Sequence, residues 1–229
     1  MCIRDRISRE EMDRFGLQSQ ERAVRAQDEG YFAREIVPVT LAGGQEFKVD
    51  DGPRRGTSLE KLAQLQPVFR ENGRVTAGNA CPLNDGAAAV VIMSDTKAKE
   101  LGIKPIARIV STGLSQLEPE YMGLGPIDAS RDALKRAGMT MDDIDILEIN
   151  EAFAAQVIPS ARALGVDPFS DKLNPHGGAI ALGHPFGMTG ARIACTILNG
   201  LQSTDKTFGL ETMCVGGGQG MAMIFERLN

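Results

Sequence analysis

Hydrophobic positions are spread unevenly along the chain. Residues 8–32 carry helix formers with charge on most faces, and Ser8 with Glu11 makes a capping-box pair. That pattern predicts one long, solvent-exposed helix, which Gly30 helps to end. The run REIVPVT (34–40) reads as a short strand. Residues 41–60, rich in Gly, Asp and Pro, read as a loop leading to a second capped helix at Thr57 to Glu60. This first third has little core of its own. From about residue 83 the texture changes. AAAVVIMS (87–94), ARIVSTG (107–113), DILEIN (145–150), TFGLETMCV (207–215) and GMAMIFER (220–227) are strand candidates, mostly separated by helical segments. The alternation predicts a layered α/β sheet. Ser94 or Asp95 starts a helix that Gly102 stops, and Pro126 sits in the first turn of another that Gly138 stops. Asn150 is placed to cap a third helix, which Pro159 should kink or shorten. Only GGGQG separates the last two strands, too little for a parallel crossover, so they should pair antiparallel. No internal repeat is visible.

Composition narrows the classes. At 229 residues the chain has room for one large domain or one and a half. With 42% hydrophobic residues and a net charge of −5 it reads as a soluble globular protein. The acidic balance argues against a nucleic-acid partner. No apolar run approaches the roughly 20 residues that cross a bilayer, and no signal segment opens the chain, so the expected location is cytoplasmic with no membrane partner. Four cysteines without C-x-x-C spacing and two histidines make neither a disulfide framework nor a metal site. The cysteines are read singly, as thiols.

Three stretches lie where strands give way to loops or helices: INEAFAAQ (149–156), GGAIALGHPFGMTGAR (177–192) and CVGGGQG (214–220). Ligands bind at the carboxyl ends of strands in α/β sheets, so these stretches are expected to share one crevice. They offer the Asn150 amide, the His184 imidazole and the Cys214 thiol. Each has a plainer reading: Asn150 as a helix cap, His184 as a turn residue between Gly and Pro, and Cys214 as a buried small hydrophobe. The glycine run favours the chemical reading, since five positions nearly free of side chains suit a backbone that approaches a ligand or presents amides to an anion. It does not fit G-x-G-x-x-G, because position 221 is Met. Imidazole can activate a thiol, a thiolate can attack a thioester or take a carbon-bound proton, and oriented donors can stabilise an oxyanion. The residues alone support an incomplete acyl-transfer site.

NEAFAAQ, GGAIALGHPFGMTGAR and CVGGGQGMAMIFE, in that order, resemble the thiolase family, the acetyl-CoA or 3-oxoacyl-CoA acyltransferases. Similarity runs from ISREEMDRFGLQSQERA to the C-terminus and includes TAGNACPLNDGAAAVVIMS (76–94). The resemblance implies a layered α/β/α fold with a mixed sheet, plus part of a loop domain. It implies that His184 activates a nucleophilic cysteine and helps to form one oxyanion hole, and that Asn150 holds a water in that hole. By the same resemblance Cys214 is the acid/base for the α-carbon and the incoming CoA thiol, and the Gly216 N–H serves a second oxyanion hole. The substrate would be coenzyme A or acyl-CoA, with no permanently bound cofactor. Arg54, Phe69 and Cys81 fall at CoA-contacting positions of the loop domain, and Ala152 and Phe153 fall near the pantetheine and thioester. Cys81 departs from the Ser found in many thiolases, and a solvated loop charge beside Arg55 is an equal reading of Arg54. A homodimer or homotetramer is implied for the full-length protein. VDDGPRRGTSLEKLAQLQPVF (49–69) looks more like the degradative 3-ketoacyl-CoA branch than the biosynthetic one.

The family's nucleophilic cysteine normally sits in a Cys-Gly/Ala-Ser context, and no such segment occurs among these residues. Cys195 falls mid-helix and reads as core. Cys2 belongs to MCIRDR, which looks like a non-native leader. The expected organisation is leader (1–6), partial CoA-binding loop domain (7–82), remnant strand and helix of the N-terminal core domain (83–103), and C-terminal thiolase domain (104–229). The chain is thus expected to be a C-terminal portion lacking the N-terminal nucleophile domain. Residues 87–94 would then be an unpaired apolar strand that lowers solubility. Two functions compete: thiolase chemistry in the full-length gene product, or a catalytically inactive CoA-binding or dimerisation fragment. A ketoacyl synthase is a weaker third reading, since that group usually has two histidines beside its cysteine and His176 reads as a turn residue.

Overall fold

The computed structural model describes residues 6–228, so residues 1–5 of the expected leader, Cys2 among them, lie outside the described residues. A four-stranded mixed sheet organises the chain. Its strands are β3 (Ala107–Gln116), β4 (Ile146–Ile149), β5 (Phe208–Val215) and β6 (Gln219–Arg227), in the order β3-β6-β5-β4. As the short GGGQG connection predicts, β5 and β6 are antiparallel; β3 pairs antiparallel with β6, and β4 parallel with β5. A separate two-residue hairpin, β1 (Val39–Thr40) with β2 (Glu46–Phe47), is exposed on both strands.

Alternate residues of the same strands enter two cores. Leu147, Ile149, Leu210, Ala222 and Ile224 pack with α4 (Gly125–Ala137) and α5 (Ala154–Ala163), whereas Ile146 and Phe225 pack with α7 (Thr189–Ser203). Period-two alternation therefore gives an α/β/α layering, the fold class expected from the sequence. Gly138 ends α4 at φ +67°, a left-handed position that suits glycine. Ser94 caps α3 (Asp95–Glu100) and Ser58 caps α2 (Leu59–Ala63), each accepting from an amide three residues on. Pro159 sits inside α5, which runs on to Ala163, so the proline does not end the helix where it stands. Among the described residues no helix is long and apolar enough to cross a membrane.

The first helix, α1 (Arg9–Asp28), is one helix as predicted, but it is not solvent-exposed. Met12, Phe15, Ala23 and Ala26 are buried, and so are Asp13, Ser19, Gln20 and Arg22. These polar side chains hold loops. The Arg22 guanidinium donates to Leu173 O at 2.6 Å and Ser170 O at 3.1 Å, and Asp13 accepts from Asn79 at 2.7 Å and Arg9 at 2.6 Å. A hydropathy pattern scores such positions as wet because it cannot see their partners. The capping box is half formed: Ser8 accepts from the Glu11 amide at 3.1 Å, while the Glu11 carboxylate pairs with Arg162 of α5.

The run 87–94 forms no strand. It has no regular secondary structure and no ladder partner among the described residues, and Val91 and Ile92 are 86% and 69% exposed. Apolar, β-branched composition favours a strand only where a neighbouring edge can pair with it.

Candidate active site

The site starts from the last residue of the β4 ladder. The Asn150 amide donates to Thr212 O at 3.0 Å, extending the parallel pairing one residue past Ile149. Asn150 does not cap α5; Phe153 holds the cap position, and the buried Asn150 side chain turns instead toward His184. Its Nδ2 lies 3.2 Å from Nε2 and 3.4 Å from Nδ1 of that ring. His184 follows the short helix α6 (Ala179–Leu182) and Gly183, whose φ of +93° swings the chain out of the helix. Its backbone N–H donates to Asn84 Oδ1 at 2.9 Å.

A chain of hydrogen bonds sets the imidazole's tautomer. The Thr189 hydroxyl donates to Pro185 O at 2.9 Å, which uses its one proton, and it lies 2.6 Å from His184 Nδ1. With that proton on Pro185 O, Nδ1 carries the ring hydrogen and donates to Thr189, which leaves Nε2 unprotonated; Asn150 Nδ2, nearly equidistant from both ring nitrogens, is not aimed along the Nε2 lone pair. Burial and the Arg192 charge hold the His184 pKa below its ordinary value, which keeps the ring neutral. Thr189 escaped sequence reasoning although it lies five residues past His184 in the same run. The signal was a hydroxyl at the start of the next helix.

Glu151 was missed as well. It is 1% exposed and joins three elements: Ser19 of α1 donates to it at 2.6 Å, Asn174 at 2.9 Å and the Ile180 amide of α6 at 3.1 Å. Burial raises its pKa, and those donors partly offset the rise. Asn174 also bridges the Ile149 N–H and C=O at 2.9 Å each, so the end of β4 and the approach to α6 are one hydrogen-bonded unit.

Cys214 lies at the same end of the sheet, two residues past Thr212, with its thiol buried and its pKa pushed up by that burial. Among the described residues no hydrogen bond joins it to His184. In the glycine run, a Cβ at Gly218 would overlap the Leu117 carbonyl and one at Gly220 would overlap Gly125. Those two glycines answer to close packing within the chain rather than to a ligand. Gly216 and Gly217 differ: both are exposed, a Cβ at Gly216 would meet nothing and one at Gly217 only the Gln219 side chain, so this part of the run is open to a ligand.

The structure gathers most of the other predicted residues. The Cys81 amide donates to Ala152 O at 3.1 Å, the Ala154 amide donates to Asn79 O at 2.9 Å, and Ala80 bridges Phe153. Cys81, Ala152 and Phe153 therefore sit together, with the Phe69 ring edge-on to Phe153 at 6.0 Å. Burial raises the Cys81 pKa, and its charge would in turn raise that of Cys214. Arg54 stands apart. Its side chain is exposed and its amide donates to Gln20 Oε1 at 2.7 Å, while the neighbouring Gly52 lies against Ala181 of α6. Cys195 is half-buried on α7, 3.9 Å from Ala89 O. His176 is more than a turn residue, since it stacks on Tyr31 at 3.6 Å. Among the described residues no group of His, Cys, Asp and Glu could hold a metal ion.

Fold and site together define an α/β/α protein that gathers an amide, an imidazole and a thiol at the carboxyl end of a mixed sheet. Residues 103–227 match the thiolase C-terminal domain and residues 3–96 the thiolase N-terminal domain. The chain belongs to the thiolase family. The second match corrects the expectation that the N-terminal domain is lacking, because the helical and loop residues read as a separate loop domain fall within it. The chain is 52% identical over 225 residues to the acetyl-CoA acetyltransferase of Syntrophomonas wolfei, covering 97% of this chain and 57% of that protein. It superposes on the crystal structure of the Bacillus anthracis acetyl-CoA acetyltransferase with a TM-score of 0.96 at 43% identity, covering 99% of this chain and 58% of that one. Human mitochondrial 3-ketoacyl-CoA thiolase in complex with CoA gives 0.93 at 42% identity, covering 99% and 57%. The chain thus spans somewhat over half the length of these relatives.

Proposed function

We propose that the protein acts in acyl transfer between coenzyme A and acyl-CoA, by thiolysis of a 3-oxoacyl-CoA or the reverse Claisen condensation. The observation that carries this reading is the Asn150–His184–Thr189 chain, which presents a neutral imidazole with a free Nε2 lone pair beside an amide donor. His184 would take the proton of a nucleophilic thiol as that sulfur attacks the 3-oxo carbon. Cleavage of the C2–C3 bond leaves an enolate, which takes a proton from Cys214. Incoming CoA then returns a proton to Cys214 as its sulfur accepts the acyl group. Water held by Asn150 and His184, and the Gly216 N–H, would stabilise the two oxyanions. Phe69, Cys81, Ala152 and Phe153 would line the pantetheine path, with Arg54 at the phosphate end. A cytoplasmic homodimer or homotetramer is the proposed working form of the full-length protein.

A second reading, a CoA-binding or dimerising module without turnover, is favoured by one observation: none of the four cysteines has the Cys-Gly/Ala-Ser context. Calorimetric titration with CoA, beside a thiolysis assay on acetoacetyl-CoA, tests both readings. Binding without turnover is expected of these 229 residues. Absence of binding would remove the CoA assignment, and turnover abolished by His184→Ala would show that one of the four cysteines is the nucleophile.

A further inference from the structure

Behind the site, on the α7 side of the sheet, lies a buried group that acyl transfer does not use. Glu148 of β4 and Glu211 of β5 are register partners on adjacent parallel strands, so their backbones are about 4.8 Å apart and their side chains leave the same face. Asn150 is two residues beyond Glu148 and shares that face, and Arg192 reaches in from α7. Glu148 is 2% exposed and Asn150 1%. Glu148 Oε1, Glu211 Oε2, Asn150 Oδ1 and the Nε and Nη1 atoms of Arg192 are all buried without a hydrogen-bond partner among the described residues. Arg192 also makes no ion pair within 4.0 Å there, although its charge acts on both carboxyl groups. Five orphaned polar atoms on facing residues call for water between them. Two carboxylates held side by side out of water cannot both ionise. At least one of the two therefore keeps a proton, and the pair carries at most a single negative charge beside Arg192.

We propose that Glu148 and Glu211 hold at least one proton between them at neutral pH and, with Arg192 and Asn150, enclose ordered water, forming a buried proton-holding site that fixes the Asn150 carboxamide from behind. Asn150 Oδ1 then accepts from that water while Nδ2 faces His184. The other groups facing the pair are Glu151 after β4, Glu35, whose carboxylate accepts from Thr196 at 2.9 Å and Asn199 at 2.8 Å, Tyr31 near Glu35, and Cys195 on α7. Burial pushes Glu148 and Glu211 up to about 8 each, with Arg192 opposing the rise. Their folded pKa values exceed the unfolded one, so their stabilisation is complete below about pH 4.5 and is lost as pH rises toward 8.

The test is the melting temperature of the full chain against pH, for the wild type and for Glu148→Gln and Glu211→Gln. The wild type is expected to lose stability between about pH 5 and 8, and either variant to flatten that fall, because one carboxyl beside Arg192 has no like charge to avoid. A flat wild-type profile, with Glu148→Gln less stable at every pH, would mean that both carboxylates are ionised and would overturn the proposal. Infrared spectra of the wild type keep the test independent of the variants' folding. A protonated-carboxyl stretch present near neutral pH and lost by about pH 9 supports the retained proton, and its absence at neutral pH overturns it. Only the link to Asn150 chemistry rests on the acyl-transfer reading, so failure of CoA binding would leave these results unchanged.

Discussion

Nδ2 of Asn150 lies 3.2 Å from Nε2 of His184, two side chains 34 residues apart in sequence, while Thr189 holds the opposite ring nitrogen at 2.6 Å. The Thr189 contact at Nδ1 favours the tautomer that leaves Nε2 open before any substrate arrives.

Thr189→Val removes the acceptor for Nδ1–H. The ring should then populate both neutral tautomers, with a loss of about 1 kcal/mol of positioning energy. Nitrogen-15 spectra of labelled histidine can read this directly, because the chain has only two histidines. Unchanged His184 shifts would show that Thr189 does not set the tautomer.

Glu151→Ala should destabilise the protein by about 3 kcal/mol, since it leaves Ser19, Asn174 and the Ile180 amide without their shared acceptor. Glu151→Gln, which keeps one carbonyl acceptor, should lose less. Denaturant midpoints decide, and equal losses in the two variants would point to packing rather than hydrogen bonding.

His176 is stacked on Tyr31 and its pKa is lowered to about 4, chiefly by burial with help from the Arg25, Lys206 and Arg22 charges. The folded value lies below the unfolded one, so this histidine's contribution is complete above about pH 6.5 and is lost as pH falls toward 4, by up to about 3 kcal/mol. His176→Phe keeps the stack and should flatten the acid limb of the melting profile. An unchanged acid limb would place the acid sensitivity elsewhere.

Val91 and Ile92 stand exposed in an irregular run with no strand partner among the described residues. Paired substitution Val91→Lys, Ile92→Glu should reduce aggregation in light scattering and change stability by no more than about 0.5 kcal/mol. Unchanged aggregation would clear this run as its source.

Punctuation made most of the fold legible. Ser8, Ser94, Pro126 and Gly138 mark helix ends by local chemistry that survives folding, whereas the second helix is capped by Ser58, one residue past the Thr57 start read from the sequence. Period-two strands and the five-residue GGGQG link made the antiparallel β5–β6 pair legible too. Partner-dependent features were not. The polar face of α1 is buried because Arg22, Ser19 and Asp13 meet loops more than sixty residues away. At the site, Asn150, His184 and Cys214 stood out as residue types, whereas Thr189 and Glu151 gain meaning only from what they touch. The glycine run was half misread, because Gly218 and Gly220 accommodate the chain's own backbone.

The most direct test of the acyl-CoA assignment is a titration of acetyl-CoA into the histidine-labelled chain, followed by nitrogen-15 resonances. His184, open at Nε2 beside Asn150, is expected to shift on binding, while His176, stacked under Tyr31, stays fixed as an internal control. A stationary His184 at saturating acetyl-CoA would contradict the assignment of this centre to thioester chemistry.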